Sequence, residues 1–192
     1  NYSGVANLIS ALRQVNGDTV ILTFSAPFVN GQSNTLSVSG VQDLAGNVNE
    51  AYDFSFIFNN STPKLVITEI NYNPPSTDPD LLEFIEIYNN GSQAAEIGGL
   101  QLGGLVSMTL PALSLQPGGT FLAAAYKAEC EAFFAGQTFY PWNSSTALTN
   151  GGNTLVIRNS VGVTLDSVQY DDASPWPLEP DGFGPSAELL SP

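Results

Sequence analysis

The clearest alternation of apolar and polar positions runs through residues 64–90. Residues 64–72 set Leu65, Ile67 and Glu69 against Val66, Thr68 and Ile70. Residues 82–89 set Phe84, Glu86 and Tyr88 against Glu83, Ile85 and Ile87. A period of two marks a half-buried strand, so the pattern predicts two strands here. Residues 73–80 between them hold three prolines and two aspartates. Proline fixes φ and lacks an N–H, so this segment is expected to join neither a helix nor a central strand. Similar patterning predicts strands at 19–24, 35–41, 52–58, 95–102, 105–113, 120–124, 154–159 and 163–170. Turn chemistry separates them at Asn16-Gly17-Asp18, at the DLAGN stretch that opens on Asp43, at Asn90-Gly91, at Pro117-Gly118 and at Gly151-Gly152. Residues 5–15 are weakly patterned and read as a strand or an irregular lead-in. The one helical stretch is 127–136, KAECEAFFAG, rich in Ala, Glu and Lys and stopped by Gly136. From Asp171 onward the prolines and glycines predict irregular chain.

Composition narrows the function classes. The 192 residues carry 4 basic and 18 acidic side chains, a net charge of −14. Such a chain is not drawn to nucleic-acid phosphates or anionic membranes. Arg13, Lys64, Lys127 and Arg158 are scattered and form no basic patch. Charged residues make up only 11% of the chain, and Gly, Pro, Asn, Ser and Thr are abundant, which suits a turn-rich extracellular β module. Cys130 is alone, so no internal disulfide and no cysteine metal framework is expected. No apolar run is long enough for a transmembrane helix. The chain opens on Asn1 without a signal peptide and reads as an excerpt from a longer, secreted or surface-attached protein.

The absence of histidine removes Ser-His-Asp and Cys-His catalysis and histidine-bound zinc. Cys130 stands between Glu129 and Glu131, whose charges raise a thiol pKa and disfavour a nucleophile. Paired carboxylates are the remaining route to hydrolysis. Glu83 and Glu86 lie on opposite faces of one strand, whereas Glu69 and Glu86 belong to neighbouring strands. An inward-directed carboxylate among them needs a partner, for which Lys64 and Arg158 are available. The expectation is that these glutamates are structural and that the chain is no enzyme. Acidic loops leave calcium as the alternative cofactor: Asp78 with Asp80, Asp171 with Asp172, and Glu179 with Asp181 offer hard oxygen ligands without the spacing of an EF-hand. Tyr140, Trp142 and Trp176 are placed in loops, where flat rings either stack on sugars or anchor the rim of a β-sandwich. Asn60-Ser61-Thr62 and Asn143-Ser144-Ser145 fit the glycosylation sequon and equally fit plain turns.

Two family resemblances organise these elements. TLSVSGVQDLAGN (35–47) followed by FSFIF (54–58) resembles the latter half of the Ig-like domains of bacterial surface-layer and adhesin-type proteins. Such sandwiches usually run to about 100 residues, so the first strands of that domain are missing from this segment. VITEINYNP (66–74), EFIEIYN (83–89), the LxPGG motif at 115–119, NGGNTLVIRN (150–159), LDSVQY (165–170), Trp176 and GPSAEL (184–189) together resemble the lamin-tail domain family, in its bacterial branch. Ala187 stands where bacterial members usually carry Leu. The resemblances imply an all-β protein. Residues 1–60 would be a partial Ig-like segment, and 64–192 an Ig-like β-sandwich with one short helix. They further imply a non-catalytic interaction or structural module of a larger bacterial protein. Its partner would be a protein or polysaccharide at the cell surface. The alternative is a carbohydrate- or calcium-binding accessory module of a secreted hydrolase.

Overall fold

The computed structural model describes residues 2–5, 7–15, 17, 19–43, 45–142 and 146–192. The predicted turn at Asn16 and Asp18, Leu44 of the DLAGN turn, and the sequon at Asn143, Ser144 and Ser145 lie outside them. The chain divides into two compact units, Asn1–Phe58 and Asn59–Pro192.

The first unit contains β1 (Tyr2–Ser3), β2 (Leu8–Arg13), β3 (Val20–Phe24), β4 (Ser33–Val38) and β5 (Tyr52–Ile57). β2 pairs with β3, and β4 lies between β1 and β5, all antiparallel. The weakly patterned lead-in is thus a strand, because β3 supplies its hydrogen-bonding edge. The DLAGN turn forms as its chemistry predicts: Asp43 Oδ1 accepts the N–H groups of Ala45 (2.8 Å) and Asn47 (2.9 Å). Gly46 sits at φ +87°. Phe28 gathers Phe24, Phe56 and Phe58 at ring separations of 4.9, 5.2 and 5.8 Å. Even so, no described residue of this unit is buried, and Ile9, Leu12, Tyr52 and Phe54 are each more than half exposed.

The second unit is an all-β Ig-like sandwich. Its strands are β6 (Leu65–Asn71), β7 (Phe84–Asn89), β8 (Ala95–Glu96), β9 (Gln101–Gly104), β10 (Met108–Thr109), β11 (Ser114–Leu115), β12 (Thr120–Ala124), β13 (Phe139–Pro141), β14 (Asn153–Arg158), β15 (Thr164–Tyr170) and β16 (Ala187–Glu188), with helix α1 (Lys127–Phe133) between β12 and β13. One sheet runs β13-β12-β7-β6-β16 and the other β10-β9-β14-β15, with a small β11-β8 pair beside them. Between the sheets Leu65, Ile67, Ile70, Ile85, Ile87 and Phe121 meet Leu102, Leu155, Ile157 and Tyr170, all buried. Burial of this apolar area at about 25 cal/mol per Å² is the main stabilising term. α1 covers part of the outer face of the five-stranded sheet, over Phe84, Leu122, Ala124 and Phe139. For this reason β12 is buried on both faces at all but its first residue.

Four expectations are corrected. The proline-rich loop does enter a helix: Pro79–Leu82 forms one 3-10 turn, with Pro79 in its first turn, where no donor is missed. The helix ends at Phe133, before Gly136 at φ +89°. The strand expected at 105–113 shrinks to Met108–Thr109, because Val106 and Leu110 dive into the core from loops. The irregular tail returns to add β16 to the edge of β6 and buries Ala187.

Buried asparagines fasten the loops. Asn89 Nδ2 donates to the carbonyls of Gln93 and Leu115, and its Oδ1 accepts from Gly91 N–H. Asn159 donates to the carbonyls of Asn60 and Ser61 and accepts from the N–H groups of Val161 and Val163. Each supplies donors and an acceptor at once, which suits backbone groups that no ladder satisfies.

Candidate functional site

The site begins with a break in strand register. Between Ile67 and Glu69 the pairing of β6 with β7 slips by one residue, a β-bulge at Thr68. An extra residue inverts the alternation beyond it. Leu65 and Ile67 face the core before the bulge, and Ile70 and Tyr72 face it afterwards. Strict alternation would put Glu69 beside Ile67. The bulge instead turns it to the outer face, opposite Glu86 on β7 and Glu188 on β16. Three glutamates therefore stand in register across three adjacent strands. Thr68 Oγ1 donates to Glu86 Oε1 at 2.7 Å, and the Ser186 hydroxyl donates to Glu69 Oε1. Burial pushes the Glu69 carboxyl above its ordinary range; the Ser186 bond opposes this, and the charges of Glu188 and Glu86 add to it.

Beside Glu69 the outer face opens into a groove of about 240 Å³. Its floor is Asn71 and Phe84, and Asn71 Nδ2 is held by the Leu82 carbonyl at 2.9 Å. One wall is the end of α1, where Phe133 and Phe134 meet edge to face at 4.9 Å and Phe134 meets Phe84 at 5.3 Å. The other walls are Pro74 with Pro75 and the segment Gly184 to Ser186. Phe133, at the lip, is 66% exposed. α1 is anchored by Lys127, whose Nζ donates to Glu131 Oε1 (2.5 Å) and to the Phe139 carbonyl (2.8 Å). The groove is thus apolar and aromatic with one carboxylate end, the composition of a binding site.

The residues singled out in the sequence lie elsewhere. Trp142 is buried in the main core and its indole N–H donates to the Thr146 carbonyl at 2.9 Å. Tyr140 stacks on Phe121 at 4.7 Å, and Trp176 packs half-buried against the core. These three rings share no open face. Asp78 and Asp80 are exposed at the 3-10 turn. Asp171 and Asp172 are half-buried, and Asp171 Oδ1 accepts from Ala173 N–H at 3.0 Å. Asp181 is held by Asn73 Nδ2 at 2.7 Å. Among the described residues no three His, Cys, Asp or Glu side chains converge to hold a metal.

The inward-facing carboxylate is neither Glu69 nor Glu86 but Glu83. It is fully buried, accepts from Leu148 N–H at 2.7 Å through Oε2, and leaves Oε1 without a partner among the described residues. Burial pushes it up to about 8, against the Leu148 bond and with help from Asp80. Cys130, buried beneath α1, is pushed up to about 12, first by burial and then by Glu129, Glu83 and Glu131. A thiol so held is no nucleophile at neutral pH. Neither Lys64 nor Arg158 reaches any of these acids; the one salt bridge among the described residues is Lys127 with Glu131. Phe133-Phe134 and Pro74-Pro75 stand out in the sequence, but nothing in it brings them to one groove.

Residues 59–172 match the family model described as Lamin Tail Domain. A crystal structure of a DUF4876 family protein from Bacteroides thetaiotaomicron is similar over 88% of this chain and 76% of that one, with 13% identity and a TM-score of 0.44. No curated protein matches the chain. Among the described residues no helix is long and apolar enough to cross a membrane.

Proposed function

The chain belongs to the lamin tail domain family, and from that premise we propose that its sandwich is a non-catalytic interaction module of a secreted or cell-surface protein, receiving a partner in the outer-face groove. The observation that carries this reading is the groove itself. Its walls are prolines and phenylalanines on anchored elements, and Phe133 is left 66% exposed. Aromatic side chains, phenylalanine included, are enriched at protein interfaces. The chemistry nearby supports binding over turnover. Glu69 has a serine hydroxyl for a neighbour but no histidine base exists to activate it, and Glu83 is sealed in the core. The Asn1–Phe58 unit, with its unburied apolar faces, reads as part of a bacterial Ig-like domain carried in the same parent protein.

The test is an amide-resolved titration of the isotopically labelled chain with a panel of short capped peptides. Shifts that cluster around Phe133, Phe134 and the flanks of Pro74-Pro75 are expected. Shifts confined to Tyr140 and Trp176, or shifts produced by oligosaccharides instead of peptides, would overturn the reading.

A further inference from the structure

We propose that the groove receives an arginine side chain of a partner protein, with the guanidinium against Glu69, the member of the glutamate row that lines the groove, and the stem along the phenylalanines. This deepens the reading of the groove as an interaction site and rests on it. The first support is charge. Glu86, Glu69 and Glu188 are cross-strand neighbours on one face, and like charges directly opposite one another destabilise a sheet. Thr68 and Ser186 each satisfy one carboxylate oxygen, but neither neutralises a charge. The chain's own cations do not serve: the salt bridge among the described residues ties Lys127 to Glu131 on the helix instead. A net charge of −14 draws basic partners from a distance.

The second support is shape. Of the three glutamates, Glu69 is the one that lines the groove. A flat fork of several N–H donors pairs with both oxygens of such a carboxylate at once. Lysine offers a compact point charge and no planar surface, whereas guanidinium also stacks on aromatic faces. Phe133 and Phe134 provide those faces next to Glu69. A cation arriving at Glu69 also offsets, by its opposite charge, the cost that burial imposes on that carboxylate.

The experiment uses the full chain and two fluorescent capped peptides, Ala-Pro-Arg-Pro-Leu and its citrulline counterpart, which keeps the shape and loses the charge. Anisotropy is read at low and high salt. The arginine peptide is expected to bind at least about tenfold more tightly, and raised salt should weaken it alone. Glu69→Gln should remove the arginine preference, bringing the two peptides to equal affinity. Glu188→Gln, at the exposed edge strand, should reduce the preference in part and serves if the first variant does not fold. Phe133→Ser should weaken both peptides equally. Equal binding of the two peptides to the unsubstituted chain, or an arginine preference that survives both glutamine variants, would overturn this proposal and leave the groove as a neutral docking site. Failure of both peptides to bind, together with no spectral change near Phe133, would overturn the groove reading as well.

Discussion

Replacing Glu83 by glutamine tests the strongest electrostatic feature of the sandwich. In the folded chain the Glu83 carboxyl is raised from 4.5 to about 8, chiefly by burial. The unfolded chain releases that proton near 4.5, so between the two values the folded state holds more protons. Stability must then fall as pH rises from about 4.5 to about 8, and level off above. At 1.36 kcal/mol per tenfold change in acidity the full displacement corresponds to about 5 kcal/mol. Water admitted to the forming carboxylate screens part of it, so a loss of about 2–4 kcal/mol is expected. Glutamine reproduces the protonated acid: its oxygen accepts from Leu148 N–H as Oε2 does, and its amide occupies the place of the unpartnered Oε1. Glu83→Gln should therefore be near-neutral at pH 4.5 and more stable than the parent by about 2–4 kcal/mol at pH 9. Urea unfolding followed by tryptophan fluorescence, at steps between pH 4.5 and 9, gives the difference directly, and groups common to both proteins cancel. A difference that stays constant across this range within about 0.5 kcal/mol would refute the argument.

Asn159→Ala leaves two carbonyls and two N–H groups without their side-chain partner, and a loss of about 2–4 kcal/mol in the same urea assay is expected. Gly104→Ala builds a Cβ 2.1 Å from the Thr154 carbonyl oxygen at φ +98°, and should cost several times more than Gly162→Ala, where φ is +85° but no atom lies within 4 Å. Cys130 should resist a thiol reagent at pH 8 until denaturant opens the core, and prompt labelling of the folded chain would contradict its burial. Residues 59–192 expressed alone should give a dispersed amide spectrum and cooperative melting, whereas residues 1–58 alone, with no described residue buried, should give neither.

Much of the sandwich was legible because alternation or a short apolar run is framed by turn residues. β7 and β15 follow from alternation, and β12 and β14 from apolar runs after glycine turns, each within two residues of its observed bounds. Placing Glu83 on the face of Ile85 and Ile87 was also a matter of parity, and that face is the core. What parity could not reveal is Thr68. A bulge is set by the partner strand and by the two apolar pairs that must both reach the core. Nothing in VITEIN marks the extra residue. The groove was illegible for a related reason: Glu69, Pro75, Phe84, Phe133 and Ser186 are distant in sequence and meet only through the sheet order β7-β6-β16 and the placement of α1. Trp142 lies just beyond β13, and of the two roles open to a loop ring there it takes the packed one: its indole N–H donates to the Thr146 carbonyl and the ring sinks into the core.

The bulge at Thr68 also keeps the reading frame of the strand. Its one added residue is passed over in the ladder, so the letters that follow keep their address, to solvent or to the interior. Deleting Thr68 would remove the bulge and leave a regular ladder, with Ile67 still opposite Ile87, Glu69 opposite Glu86 and Ile70 opposite Ile85. The acidic row would survive, losing only the Thr68 hydroxyl bond to Glu86. The bulge is thus the point at which this strand absorbs a change in length without exchanging its wet and dry faces.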